Sequence, residues 1–294
     1  MLRVEMDVYS GLDNPSWPLT EDEAAKLTDR VMADPTIISD INATDGRLGY
    51  KGYIVSALDE PVEGTEGRLP SRFRVGGPVN PNPEVAAFML RTTEKADAEV
   101  TDWLRDYAKR AASNMAAEPR PVPLDSRATT AEPRPMAATP QALGTGSVCG
   151  LNYLTSSSDF SFWNGSQYVT LNNCYAFASN YRSNTFAQPG RRAKRTYTAL
   201  TGDAMATALH ADGWADACAG GGNSTAALVI WPGHDFHFYR LCSGWLWCHK
   251  PGKSPARNTD DSGRLITSPQ TCNRGPYTTF VGYIHAGNSY VVVS

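Results

Sequence analysis

Residues 114–145 decide how this chain of 294 residues can be divided into folded parts. The stretch holds six prolines and seven alanines and almost no large apolar side chain. Within it Ala117-Glu118-Pro119-Arg120-Pro121 is echoed by Ala131-Glu132-Pro133-Arg134-Pro135. Such a composition cannot bury a core and favours extended polyproline conformations, so it predicts a linker. The alternative for it is a proline-rich docking segment. Two domains are expected on either side, over 1–113 and 146–294, and a hydrophobic content of 41% supports a core in each.

Charge divides at the same place. Residues 1–113 carry 13 basic and 20 acidic side chains, whereas residues 146–294 carry 11 basic and 7 acidic. The two parts are expected to attract one another, or the C-terminal part to favour an anionic partner. Its basic excess is too small for nucleic-acid binding. The only dense basic run, Arg191-Arg192-Ala193-Lys194-Arg195, is expected to be a solvated loop. No stretch of about 20 apolar residues is present, so no membrane span is expected. The N-terminus lacks the apolar region of a secretory signal, which points to the cytoplasm or to export by a route without a Sec signal peptide. That compartment favours reduced cysteines.

The N-terminal part reads as a small α+β domain. Val4, Met6 and Val8 alternate with Glu5 and Asp7 in a half-buried strand over Arg3–Tyr9. A turn-rich loop, Ser10 to Trp17, precedes a helix opened by the capping box Thr20 and Glu23, with Leu27 and Val31 on its inner face. Further strands are predicted at Tyr53–Leu58 and Phe73–Val75. Helices are predicted from Asn82-Pro83 and around Val100, Trp103, Leu104 and Tyr107. The domain has no histidine and no cysteine, so a role in binding a partner or the C-terminal domain is expected.

The C-terminal part holds every histidine and cysteine of the chain. Trp231 to Lys250 predicts a β-hairpin, with strands Phe236–Leu241 and Trp245–His249 around the turn Cys242-Ser243-Gly244. That register sets His237 opposite His249, with Cβ atoms about 5 Å apart, whereas a two-residue loop would oppose His237 to Lys250 and send His249 to the other face. Upstream, Cys174 stands where a helix through Tyr175, Ala178 and Tyr181 would begin. A helix start lowers a thiol's pKa and offers amides to an oxyanion. Nucleophile, base and orienting group thus follow in chain order as Cys174, His237 and His249.

That order, with the two histidines separated by one hairpin, resembles the Cys-His-His arrangement of NlpC-type cysteine peptidases and amidases in the papain-like superfamily. The resemblance covers about the last 125 residues. Asn172-Asn173 precede the cysteine in place of the family's common aspartate, and the Ser-Gly that often follows is missing. It implies a papain-like α+β domain with an antiparallel sheet, and hydrolysis or acyl transfer on a peptide or amide-containing, anionic substrate, without a cofactor. Asp260 or Asn258 is the reserve orienting residue. Tyr168 or Gln167, in a hairpin predicted over Asp159–Val169, is the candidate oxyanion donor. Predicted strands at Ala226–Trp231, Tyr277–Ile284 and Ser289–Val293 complete the sheet.

Two other readings fit the same residues. His234, His237, Cys242, Cys248 and His249 are all ligand types for zinc or copper. A catalytically silent module could instead bind through Trp245 and Trp247. Glutamate-based chemistry is excluded from this part, because no glutamate follows Glu132.

Overall fold

A computed structural model of the protein describes residues 1–58, 69–93, 100–117, 158–216, 224–286 and 290–294. The predicted linker lies outside the described residues from 118 onward, as does the glycine-rich stretch Ala219–Asn223. The described part is α+β with two five-stranded antiparallel sheets. Contacts divide it into two compact units that are not contiguous in sequence. The first comprises Met1–Val8, Asn14–Asp45 and Gly49–Pro123; the second takes Tyr9–Asp13, Gly46–Leu48 and Leu124–Ser294.

In the first unit, β1 (Leu2–Met6), β2 (Ser16–Pro18), β3 (Ile38–Ser39), β4 (Tyr53–Ala57) and β5 (Arg72–Val75) form a sheet in the order β2-β1-β4-β5-β3. Helices α1 (Glu21–Ala33), α2 (Pro83–Thr92) and α3 (Asp102–Ala117) accompany it. The alternation in β1 buries Val4 and Met6, and the capping box opens α1, with Thr20 Oγ1 accepting from Glu23 N and Glu23 Oε2 from Thr20 N. Asn82 caps α2 in the same manner.

Three expectations are corrected here. Asp7, expected on a polar face, is fully buried and lies 3.1 Å from Lys51 Nζ and 2.8 Å from Arg74 Nη2. Burial opposes its charge, but the two cations hold its carboxyl below the usual carboxylate range. The stretch after Ser10 is not all loop, since Ser16–Pro18 pairs with β1. Trp103 is exposed and stacks on Tyr107 instead of joining the core, which Leu104, Ala108, Ala112 and Met115 supply.

In the second unit, β6 (Ala215–Asp216), β7 (Ser224–Trp231), β8 (Asp235–Leu241), β9 (Trp247–His249) and β10 (Thr279–Ala286) form a sheet in the order β6-β10-β7-β8-β9. Helices α4 (Ser161–Asn164), α5 (Cys174–Ala178) and α6 (Gly202–Ala211) belong to the same unit. All seven residues of β8 are buried. Phe236, Phe238 and Arg240 face α5: the Tyr175 and Phe238 rings are 5.0 Å apart, and Arg240 Nη1 donates to the Phe177 carbonyl. Each such buried aromatic contributes roughly 1.5–3 kcal/mol of apolar burial.

The hairpin predicted over Asp159–Val169 does not form; α4 and turns take its place, and Trp163 packs on Phe177. The last described residues, Tyr290 to Ser294, are not a strand, although Val291 and Val293 are buried.

Candidate active site

The hairpin carrying the histidines is shifted from its predicted register by two residues. Ser243–Trp245 forms a 3-10 turn with Gly244 at φ 70°, and His249 lies opposite Tyr239 instead of His237. A shift of two preserves the face, since side chains alternate with period two. His237 and His249 therefore remain neighbours, now on a diagonal, with ring centroids 5.0 Å apart. A Cys242–Cys248 disulfide, with Cα atoms 6.0 Å apart, ties the two strands at the turn.

The two rings form a directed chain. Nε2 of His249 is 2.9 Å from the Thr259 carbonyl oxygen, which can only accept, so that nitrogen carries the proton. Burial, with the Arg257 charge adding to it, pushes the His249 pKa down to about 3, and the ring is neutral. Its Nδ1 is then an acceptor, and Nε2 of His237, 2.9 Å away, donates to it. In a neutral His237 this assigns the lone pair to Nδ1. Of the two ring nitrogens of His237, Nδ1 is therefore the one that can accept a proton.

Cys174 opens α5 at the open edge of β8. The strand β9 covers only Tyr239–Leu241, leaving the Asp235–Phe238 edge unpaired by it. Cys174 Sγ donates to the Phe236 carbonyl at 3.8 Å, and the Phe238 amide is directed at the sulfur. A carbonyl and the amide two residues on point to one edge of a strand, so the sulfur lies beside the backbone of His237. The His237 ring springs from the face away from α5, shared with Asp235, Tyr239 and Tyr277, and its Nε2 reaches His249 on the neighbouring strand.

The expected activation of the thiol is not present in this state. Helix α5 has five residues, too short for a substantial macrodipole, and Cys174 is fully buried. Desolvation pushes its thiol well up, the Asp235 carboxylate adds to this, and Lys250 opposes it. Lys250 is itself buried and donates to the carbonyls of Val169, Asn172 and Gly252.

The Tyr9–Asp13 segment, which belongs to this unit, runs beside the start of α5. Asp235 accepts from the amides of Ser10 (2.6 Å), Gly11 (3.2 Å) and Leu12 (3.0 Å), and from the Tyr277 hydroxyl. The Cys174 amide donates to the Ser10 carbonyl at 3.4 Å. Asn173 Nδ2 and Gln188 Nε2 each donate to the Gly11 carbonyl at 2.8 Å. Gln188 is in turn fixed by the Tyr197 hydroxyl. Leu12, Asp13, Gln188, Arg191, Thr196 and Tyr197 line an open depression of about 320 Å³ beside the segment.

The structure pairs His237 with His249, sets the Cys174 sulfur on the carbonyl of Phe236 next to His237 in the chain, and leaves other candidates elsewhere. Asp260 accepts from the amides of Ser262, Arg264 and Asn273 and anchors a turn; the Asn258 carbonyl accepts from Ile266. Gln167 is exposed, and the Tyr168 ring carries the Arg182 guanidinium at 3.5 Å. The zinc or copper reading loses Cys242 and Cys248 to the disulfide, and among the described residues no group of three ligand-type side chains is placed to hold a metal ion. Trp247 is buried, which removes it as an exposed binding platform; the Trp245 side chain lies outside what is described.

No helix among the described residues is long and apolar enough to cross a membrane. Neither a family model nor a solved structure matches the chain. Insoluble matrix shell protein 1 of Ruditapes philippinarum is 46% identical to it over 127 residues, which span 42% of this chain and 86% of that protein. With that identity over most of the relative's length, the chain belongs to the family of insoluble matrix shell protein 1.

Proposed function

We propose that the second unit is a papain-like thiol hydrolase of the NlpC type, acting on peptide or amide bonds through Cys174, His237 and His249. The observation that carries this is the directed chain from Thr259 through His249 to His237. It leaves the basic nitrogen on Nδ1 of a ring whose chain neighbour, Phe236, accepts from the Cys174 sulfur. In the reaction, His237 Nδ1 takes the thiol proton and the thiolate attacks the carbonyl carbon. The oxyanion is held by the Cys174 amide. The C–N bond then breaks, the amine leaves with the proton from His237, and water, deprotonated by the same nitrogen, hydrolyses the thioester. The Cys242–Cys248 disulfide supports work in an oxidising compartment.

The experiment is turnover of a peptide library by the full chain carrying Gly11→Val, which displaces the Tyr9–Asp13 segment, and by the same chain with Cys174→Ala added, followed by mass spectrometry. Products made by the first and not the second are expected. Equal product from both would remove the assignment.

A second reading is a catalytically silent matrix protein. The complete burial of Cys174 favours it, as does the relative's name, which describes a protein of an insoluble shell matrix. On this reading the histidines and Asp235 only hold the fold, and no condition that keeps the protein folded elicits turnover.

A further inference from the structure

The amides of Ser10, Gly11 and Leu12 and the carbonyls of Ser10 and Gly11 are held by Asp235, Asn173, Gln188 and the amide of Cys174, the nucleophile of the hydrolase reading. Asp235 takes three consecutive amides, and Asn173 and Gln188 converge on the Gly11 carbonyl. The Cys174 amide holds the Ser10 carbonyl, the position that an attacked carbonyl would take. Every one of these contacts is to main chain, so the grip is on peptide groups and not on the identity of most side chains. The exception is Gly11. A Cβ built there would lie 2.5–2.7 Å from three atoms of the Phe236 ring, which is held by Phe238 and Tyr197. On the other side, Gly252 approaches the Tyr9 carbonyl so closely that a Cβ would come within 2.4 Å of it. The sulfur itself donates to Phe236 and not toward Ser10, so the segment sits in the cleft without being poised for attack.

We propose that Ser10–Leu12 is a built-in occupant of the substrate cleft, and that the ligand admitted when it leaves is a peptide main chain with glycine at the Gly11 position. This rests on the hydrolase reading for its chemistry, but the binding claim can be tested without turnover. The carboxylate of Asp235 selects for successive backbone amides. The Phe236 ring rejects any side chain at the central residue. Asn173 and Gln188 orient that residue's carbonyl.

The test uses the full chain. Gly11→Val should expel the segment, and iodoacetamide should then label Cys174 at least about tenfold faster than in the unaltered protein, with the circular dichroism spectrum retained. Added acetyl-Tyr-Ser-Gly-Leu-Asp-amide should restore protection, and the same peptide with valine for glycine should not. A folded variant with unchanged labelling, or equal protection by both peptides, would overturn the proposal. Should Gly11→Val not fold, hydrogen exchange on the unaltered protein decides. The Ser10, Gly11 and Leu12 amides should open together below the global unfolding limit, with Cys174 labelling following the same opening. Exchange and labelling only on global unfolding overturn it. Peptide protection without any peptide cleavage would sink the hydrolase reading and leave the occupant inference standing.

Discussion

Nε2 of His237 donates to Nδ1 of His249 across 2.9 Å, and the direction of that bond is set by a third atom, the Thr259 carbonyl beyond His249. Toward His237 the orienting residue only accepts, so another acceptor can replace it. In the variant freed of its occupant segment, His237→Ala should lower turnover by about 10²–10⁴, the usual range for a general base. His249→Ala should lower it less, and His249→Asn, whose side-chain oxygen can accept from Nε2, should recover part of the loss. Equal losses in all three, measured as kcat/KM, would show the ring pair to be structural.

The thiols should be unreactive in the native state, the reverse of what a cysteine at a helix start suggests. Burial raises Cys174 well above its ordinary value and Cys272 to about 12. Iodoacetamide labelling at neutral pH should be slow at both and rise sharply in denaturant, with Cys242 and Cys248 modified only after reduction. Rapid native labelling of Cys174, read by mass spectrometry, would contradict the closed arrangement.

Two buried groups should give opposing pH dependences of stability. Burial raises Asp235 from 3.8 to about 6, so between those values the folded state binds more protons than the unfolded, and stability falls as pH rises. His249 is lowered from 6.5 to about 3, so there the unfolded state binds more protons and stability rises with pH. Relative to the unaltered protein, Asp235→Asn should gain about 1.4 kcal/mol per pH unit from roughly pH 4 to 6 and then level off. His249→Asn should show the opposite slope. Urea unfolding across that range measures both.

In the first unit, Asp7→Asn should cost about 3–5 kcal/mol, because it leaves the Lys51 and Arg74 charges buried without their carboxylate. A loss under about 1 kcal/mol in urea midpoints would mean that backbone carbonyls such as those of Gly49 and Ile41 suffice for the two cations.

What could be read from the sequence was what repeats locally. The capping box at Thr20 and the alternation in β1 were both visible. So was the shared face of His237 and His249, because a register error of two residues leaves the face unchanged. Asp235, Gln188 and the Ser10–Leu12 segment were missed because their partners are remote in sequence: Ser10 and Asp235 are 225 residues apart. The available signal was a carboxylate at the head of the otherwise apolar run Asp235-Phe236-His237-Phe238-Tyr239, a charge that a buried strand must explain. The thiol's raised pKa was equally out of reach, since burial is a property of the assembled unit.

The discontinuity of the second unit has a consequence for how the chain is made. Ser10, Gly11 and Leu12 leave the ribosome 223 to 225 residues before the carboxylate that receives their amides. Leu48, whose amide goes to Asp261, waits 213 residues. This unit cannot finish folding during synthesis as a separate trailing piece, and contacts of such high order slow folding. A fragment starting at residue 146 would emerge with Asp235 facing no amides, whereas the full chain carries those amides from its first few residues. Expression of that fragment should therefore yield less native protein than the full chain, and the deficit should shrink when Tyr9–Asp13 is supplied as a free peptide.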